Sequence, residues 1–245
     1  MLKIIRYMRS AISFFTIIPM GNSEFLPESL YFLWLPYVIS GIISFLILYL
    51  IQPYVSHFAM AIVGLSIIGI VHGAQNLDSL LDLGDGLMKR GSVESRFIVM
   101  KDSSVGAGGI FIFFVVYGIS ISALFSVSKA QMPGLMLFSQ LVDIAFMAIV
   151  FFKNKPAGEG YGKFFSTISS KWLFLVISYG IPLLLTLIIF SGYLYLFAFL
   201  TVIALILRVY LTKIFRGVSG DIVGASGEIG RMFALLLSTV PIIVF

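Results

Sequence analysis

Three aspartates at helical spacing are the residues of this chain best suited to chemistry. Asp78, Asp82 and Asp85 stand at positions i, i+4 and i+7 in the segment NLDSLLDLGDGLMKR. On an α-helix this spacing places the three carboxylates on one face, with Lys89 at i+11 continuing the line. Hard oxygen ligands suit Mg²⁺, which would offset their mutual repulsion and accept phosphate oxygens as co-ligands. The spacing therefore predicts a Mg²⁺ site, with a solvated acidic loop as the alternative.

The composition around this segment is that of an integral membrane protein. The chain is 60% hydrophobic, has 24 Phe and is only 11% charged, and its mean hydropathy is +1.09;. It contains no Cys, which excludes disulfides, thiolate nucleophiles and zinc–sulfur sites;. The net charge of +5 is accompanied by no nucleic-acid-binding motif, so we expect no nucleic-acid partner;. The length of 245 residues favours a single transmembrane domain over 1–245.

Apolar runs of about 20 residues predict an all-α, polytopic helical bundle. The seven predicted spans are 30–50, 55–71, 110–127, 135–152, 172–190, 193–210 and 232–245. The last of them is short unless its helix begins nearer Ile222. Before the first of them, Lys3, Arg6 and Arg9 precede a short apolar run that ends at Pro19. This pattern predicts an amphipathic helix at the membrane surface.

The basic residues fall on alternate connections between these spans. Fifteen of the sixteen Lys and Arg lie in the N-terminal segment or in 73–109, 153–171 and 208–231, and only Lys129 lies elsewhere. The positive-inside rule then places these segments and the N-terminus in the cytoplasm. The remaining connections are too short to hold a site, so the active site is expected on the cytoplasmic face of the cell membrane.

Two glycine-rich segments share that predicted face. The first, KNKPAGEGYGKFF (153–165), contains Glu159 and Lys163, and the second, RGVSGDIVGASGEIGR (216–231), contains Asp221 and Glu228. Backbone without side chains can approach phosphates closely, although neither segment matches a P-loop and a flexible linker is the commoner interpretation of each one alone.

Two polar residues of the spans are also notable. Asp143 lies in the middle of a predicted span, where an ionisable group indicates either function or a hydrogen bond to Ser139 or to another helix;. His72 is interpreted equally as a ligand or as an interfacial histidine.

The acidic segment resembles the signature of the cobalamin synthase family, the adenosylcobinamide-GDP ribazoletransferases. The family pattern His-Leu-Asp-Gly-Leu-x-Asp-x-x-Asp-Gly-Leu corresponds to 76–87, and Met-Lys-Asp-Ser-x-x-Gly-Ala-x-Gly corresponds to 100–109. Similarity extends to 14–19, 155–162 and 220–228, and so covers most of the chain in order. Asn76 replaces the family histidine and Ser79 replaces a glycine, which puts any acid–base role at position 76 in doubt.

The resemblance implies a Mg²⁺-dependent phosphoryl transfer in which α-ribazole, or its 5′-phosphate, attacks adenosylcobinamide-GDP and GMP leaves. The catalytic residues that it implies are Asp78, Asp82, Asp85, Lys101 and Asp102, with the first three as metal ligands. The substrate-binding residues are Asn76, Lys89, Gly160, Lys163, Asp221 and Glu228. One of the aspartates would accept the proton of the attacking hydroxyl, and lysines would neutralise the leaving phosphate. The predicted partners are these small molecules and membrane lipid, and a homo-oligomer stays open.

Two other classes of protein remain. A CDP-alcohol phosphotransferase also carries helix-borne aspartates and Mg²⁺, but its Asp-Gly-x-x-Ala-Arg pattern does not occur in this chain. A transporter would have internal repeats and several polar groups at mid-membrane. No repeat is evident here, and Asp143 is the one deeply placed ionisable residue by sequence position.

Overall fold

The computed structural model describes residues 2–21, 26–157 and 160–240, and its regular structure there is helical, with one isolated β-bridge. The all-α prediction is confirmed. The α-helices are α1 Leu2–Phe15, α2 Trp34–Ile51, α3 His57–Val71, α4 Gln75–Met88, α5 Val93–Met100, α6 Ala107–Ser126, α7 Met132–Phe151, α8 Tyr161–Ser169, α9 Trp172–Ser178, α10 Gly180–Ile189, α11 Leu194–Phe215 and α12 Gly220–Leu237. Short 3-10 helices cover Pro27–Phe32 and Ser191–Tyr193.

Several of these helices are long and apolar enough to cross a membrane. Five candidate spans lie in the described residues, formed by α2, α6, α7, α9 with α10, and α11 with the 3-10 helix before it. The pair α3 and α4 would be a sixth, but the two helices meet at 96°. A polytopic membrane protein is confirmed, whereas the count of seven is not. The last predicted span, 232–245, overlaps only the end of α12, and 241–245 lie outside the described residues.

Helix α7 is the centre of the bundle. Within its apolar window 89% of the residues are buried, whereas the other candidate spans are 22–33% buried. Glycines on the neighbouring helices let them pack closely against it. A Cβ at Gly41 of α2 would lie 2.7 Å from Leu137, and one at Gly230 of α12 would lie 2.5 Å from the Phe146 ring. Small residues of this kind are typical of helix contacts within membranes.

Helix α4, which carries the three aspartates, is held between α6 and α12. The bend before it is formed by Gly73 and Ala74, whose φ angles of +58° and +59° end α3 in the left-handed region;. A Cβ at Gly84 would lie 2.7 Å from the carbonyl oxygen of Gly108, so the backbones of α4 and α6 are nearly in contact. On the other side, a Cβ at Gly224 of α12 would lie 2.8 Å from the Ser79 hydroxyl. The close approaches at Gly84 and Gly224 therefore hold α4 in place between α6 and α12.

The four segments predicted to share one side of the membrane contact one another. The N-terminal segment reaches the end of α3, where Ile17 N donates to Val71 O at 2.9 Å. The two glycine-rich segments pair through their backbones, because Ala157 N donates to Val218 O and Val218 N donates to Lys155 O, each at 2.9 Å. Arg231, counted by sequence with the loop 208–231, lies instead inside the bundle and is 1% exposed.

Candidate active site

The acidic face of α4 meets the first turn of α12. Burial, together with the charges of Asp221, Asp78 and Asp85, raises the pKa of Asp82 to about 7 from its ordinary 3.8;. Burial also raises the pKa of Asp221, as does the neighbouring Asp78, while Lys101 opposes this increase. The structure thus brings Asp78, Asp82 and Asp221 together with Lys101 beside them. Asp221 comes from a segment more than a hundred residues away in the chain.

Asp85 has a different environment from the other two aspartates of α4. Its carboxylate accepts hydrogen bonds from the backbone N–H groups of Gly106, at 2.7 Å, and Gly109, at 2.9 Å. These groups lie at the start of α6, where amides have no partner within the helix. A Cβ at Gly109 would lie 2.7 Å from the carbonyl oxygen of Leu81, so only glycine lets the amide approach. Asp85 therefore anchors α6 to α4, a role that its prediction as a metal ligand did not include.

The Lys101–Asp102 pair follows α5, and its two members differ in their surroundings. Asp102 is exposed and accepts hydrogen bonds from the Ser104 hydroxyl, at 2.6 Å, and from Ser104 N, at 2.9 Å. These bonds lower the pKa of Asp102, which makes it a weak proton acceptor;. Lys101 is exposed and lies close enough to Asp221 to affect its pKa. Of this pair, Lys101 is the one that the fold directs to the acidic cluster.

Lys89 and Arg96 lie at the far end of α4. Lys89 is exposed, and its backbone N–H donates to Asp85 O as the helix ends. Arg96 of α5 donates to the carbonyl oxygens of Gly86, at 2.7 Å, and Leu87, at 3.1 Å. Arg96 was not predicted as a functional residue, and its contacts satisfy the unpaired carbonyls that end α4.

Asn76, which replaces the family histidine, is buried at the start of α4. Its Nδ2 donates a hydrogen bond to the Tyr37 hydroxyl of α2 at 2.9 Å, and this hydroxyl donates back to its Oδ1. His72 is also buried, and its ring nitrogens lie 2.7 Å from Phe15 O and 3.0 Å from the Ser40 hydroxyl. Both residues tie α4 and the end of α3 to α2. His72 therefore finds its hydrogen-bond partners within the protein and not in water, and Tyr37 is a supporting residue that the sequence did not indicate.

Glu228, predicted to bind substrate, lies inside the bundle instead. It pairs with Arg231 one turn along α12, and both side chains are at most 3% exposed. Arg231 also donates to the Tyr117 hydroxyl of α6 at 3.1 Å. Since Glu228 does not line the cavity beside Asp78 and Asp221, direct contact with substrate does not fit its position. The i, i+3 spacing of Glu228 and Arg231 was the signal for this pair in the sequence.

Asp143 of α7 faces the same buried pair. Its nearest charged neighbours are Glu228 and Arg231, and a Cβ at Gly227 would collide with its carboxylate. Neither carboxylate oxygen has a hydrogen-bond partner among the described residues. The Ser139 hydroxyl donates to Met136 O instead, so the predicted hydrogen bond is found neither to Ser139 nor to another helix among the described residues, and Asp143 meets α12 through close packing at Gly227.

The glycine-rich segments border the site with their backbones. Gly160 begins α8 with φ +120°, a conformation that favours glycine, and Lys163 lies exposed in the first turn of that helix;. A Cβ at Gly162 would lie 3.2 Å from Ser219 Cα, so the starts of α8 and α12 are adjacent. Glu159 lies outside the described residues. Between α8, α12, α4 and α7 is a cavity of about 330 Å³ whose lining includes Asn76, Asp78 and Asp221.

A metal centre is not preassembled in this arrangement. Among the residues that the structure describes, no three Asp, Glu or His side chains converge as metal ligands. The charged neighbours that act on Asp82 are nevertheless all carboxylates, the ligand class that Mg²⁺ prefers;. Burial first, and then the charges of these neighbours, raise the pKa of Asp82, and a bound cation would relieve their mutual repulsion. The residues therefore fit Mg²⁺ in chemistry and in charge.

Comparison with known proteins gives a consistent assignment. A family model described as "Cobalamin-5-phosphate synthase" matches residues 7–239. A protein of Picrophilus torridus named adenosylcobinamide-GDP ribazoletransferase is 29% identical over 94% of this chain and 95% of its own length. Proteins of the same name from Thermoplasma volcanium and Pyrococcus furiosus are 30% and 31% identical, over 94% of this chain and 88% and 98% of theirs.

No solved structure gives a significant match to the chain. The family match nevertheless spans every helix of the acidic cluster and its supports, from α1 to α12. The resemblance read from 76–87 and 100–109 is confirmed, and this chain belongs to the cobalamin-5-phosphate synthase family.

Proposed function

We propose that this chain is a Mg²⁺-dependent adenosylcobinamide-GDP ribazoletransferase that performs the last assembly step of cobalamin biosynthesis. The observation that carries the proposal is the meeting of Asp78 and Asp82 of α4 with Asp221 of α12 beside a cavity. In the proposed reaction a ribose hydroxyl of α-ribazole, or of its 5′-phosphate, attacks the cobinamide-linked phosphorus. The bond between that phosphorus and the oxygen of GMP breaks, and the hydroxyl proton passes to a carboxylate.

Each aspartate then has a separate role. Asp78 and Asp82, one turn apart on α4, would hold Mg²⁺, and Asp85 is left out of this set because its oxygens anchor α6. When bound, the ion supplies positive charge against the diphosphate, the main requirement of phosphoryl transfer. Asp221 lines the cavity and would accept the proton of the attacking hydroxyl;. Lys101, beside Asp221, would neutralise charge on the phosphates.

The membrane arrangement belongs to the same proposal. We place the protein in the cell membrane with the N-terminus and the acidic cluster on the cytoplasmic side, as the distribution of Lys and Arg indicates;. The mutual contacts of the four basic segments support a common side for them. Exposed apolar side chains of the outer helices, such as Phe114, Ile188 and Val209, would contact lipid. Seven spans would require the bent α3–α4 pair and the predicted span 232–245 both to cross.

An assay on detergent-purified protein tests this function. Adenosylcobinamide-GDP, α-ribazole and Mg²⁺ should give GMP and cobamide in equal amounts, and a chelator should stop both. Asp78→Asn should abolish turnover, whereas Asp102→Asn should retain it, because the Asp102 carboxylate is engaged in its own turn. A folded wild-type protein that releases no GMP would refute the assignment and return attention to CDP-alcohol transfer or transport.

A further inference from the structure

The cavity beside the acidic cluster has two chemically different parts. Its wall is apolar and deeply buried: Leu30 and Leu33 are each 1% exposed, Phe165 is 3%, and Met147 and Phe151 are 4%. Its polar lining comes from α4 and the first turn of α12, and includes the Asn76 amide and the carboxylates of Asp78 and Asp221. A ligand that fills this space must therefore be apolar at one end and carry hydroxyl groups at the other.

Four aromatic rings of α1 and α8 line the cavity and contact one another. The rings of Phe14 and Tyr161 are 4.9 Å apart, and that of Phe14 is 6.2 Å from Phe165, both in edge-to-face contact. Phe15 and Phe165 are stacked at 6.4 Å. Rings at these distances and angles form a surface against which a planar heterocycle gains favourable contact. These rings belong to α1 and α8, which line the cavity together with α4, α7 and α12.

The size of the cavity decides between the two substrates of the proposed reaction. About 330 Å³ is at the lower end of the range of about 300–1,000 Å³ for small-molecule sites;. A nucleoside with a bicyclic base is of this size, whereas a corrin ring bearing a nucleotide is several times larger. The corrinoid substrate must therefore lie outside, with only its diphosphate reaching the carboxylates.

We propose that this cavity is the subsite of the attacking nucleoside, with its base against Met147 and Phe151 and its ribose at Asp78 and Asp221. The assignment rests on the proposed transferase function. It places the ribose hydroxyls beside the carboxylate that accepts the proton, and it leaves the base in a wall without hydrogen-bonding side chains.

The same wall determines which base the enzyme accepts. The lining side chains with polar groups are Gln75, Asn76, Asp78 and Ser79 of α4, Asp221 of α12 and Tyr161 of α8, and α7 contributes no hydroxyl, amide or charged group. A purine has ring nitrogens and an exocyclic amine that would lose water in this wall without gaining partners, which costs about 1–3 kcal/mol for each group. The subsite therefore selects an apolar benzimidazole-type base over a purine.

Substitutions of one methionine test the subsite, because Met147 lies in the wall and Met136 provides a matched control. Met136 is equally buried on the same helix, three turns away, but does not line the cavity. Met147→Phe should raise the KM for α-ribazole about tenfold or more, as expected for a pocket narrowed by a few carbon atoms. Met147→Ala should instead improve the use of a nucleoside with a larger tricyclic base. Neither should change the KM for adenosylcobinamide-GDP, and the two Met136 variants should change neither KM.

Base selection and binding provide two further readouts. The wild-type protein should use the α-riboside of dimethylbenzimidazole at least about tenfold more efficiently than that of adenine. Equilibrium dialysis of labelled α-ribazole without the corrinoid should show binding that Met147→Phe weakens. The subsite would be refuted, but not the transferase function, if Met147→Phe were active and changed only the KM for the corrinoid, or if the wild type used the adenine riboside equally well. Binding of α-ribazole without any turnover would refute the transferase function and not the subsite.

Discussion

Replacing Asp82 by Asn should stabilise the metal-free protein and abolish its response to Mg²⁺. The side chain is half-buried, and Asp78, Asp85 and Asp221 surround it with negative charge. Asn has nearly the same shape but no charge, so the variant removes the repulsion and keeps the packing. Without Mg²⁺, the loss of this repulsion increases the stability of the fold. With Mg²⁺, the variant lacks a metal ligand that the wild-type protein has.

The size of the gain follows from the pKa of Asp82. A carboxyl group with a pKa of 3.8 when unfolded and about 7 when folded destabilises the fold once it is ionised;. The loss begins as the pH rises through about 4 and is complete above about 7. At about 1.4 kcal/mol per pKa unit the unscreened effect is about 4 kcal/mol, and screening around a half-buried group reduces this to about 1–2 kcal/mol. For a chain of this length, such a gain raises Tm by about 5 °C.

Thermal unfolding in detergent measures the effect at pH 8 and at pH 5, each with EDTA or with Mg²⁺. With EDTA, Asp82→Asn should raise Tm at pH 8 and raise it less at pH 5, where the wild-type carboxyl is already protonated. Mg²⁺ should raise Tm of the wild type and leave that of the variant unchanged. Asp102→Asn serves as the control, since Asp102 is exposed and its pKa is lowered. A lower Tm for Asp82→Asn in EDTA at pH 8 would refute the repulsion on which the metal proposal depends.

Three further predictions concern the supports of the site. Asp85→Ala should lower the free energy of unfolding by about 1–3 kcal/mol, because two amides of α6 lose their acceptor;. Denaturant titration measures this loss, and a loss smaller than the experimental error would contradict the prediction. Gly84→Ala should abolish activity and lower Tm, since its Cβ would lie 2.7 Å from backbone, whereas Gly118→Ala, with nothing within 4 Å, should be neutral in both assays. Arg231→Met should lower the free energy of unfolding by about 3–5 kcal/mol, because it leaves Glu228 buried without its partner;. Partial recovery of that stability in the double variant with Glu228→Gln would confirm this cause.

The central part of the site was predictable from local spacing. The positions of Asp78 and Asp82 fix a common face on any helix, and α4 confirms that they share one;. The same spacing gave Asp85 an equal role as a metal ligand and gave no sign of its contacts with α6. Its partners are backbone amides at the start of α6, and no side-chain pattern shows where a backbone amide will lie. The anchoring role depends on the close approach of α4 and α6, which only the folded chain reveals.

The glycine-rich segment 216–231 shows why the rest was not predictable. Gly is a poor helix former, so its five glycines favoured a loop up to residue 231;. The structure contains α12 from Gly220 onward, because Gly224, Gly227 and Gly230 face Ser79, Asp143 and Phe146 at close distance. Packing against α4 and α7 offsets the low propensity. Counting charges by loop likewise could not separate Arg231, which is buried, from the exposed basic residues around it.

The position of α12 in the chain has a consequence for how the protein is made. The helices α2, α6, α7 and α11 are apolar enough to enter a membrane one by one as they are synthesised;. Helix α12 carries an aspartate, a glutamate and an arginine and is not among the candidate spans, so it lacks that ability. It must dock onto helices already in place, and it is translated after all of them. Until it docks, α7 lacks the Glu228–Arg231 pair beside Asp143, and α4 lacks its opposing aspartate. The protein therefore completes its acidic cluster in one late assembly event, and a ribosome that stalls before α12 leaves that cluster without Asp221.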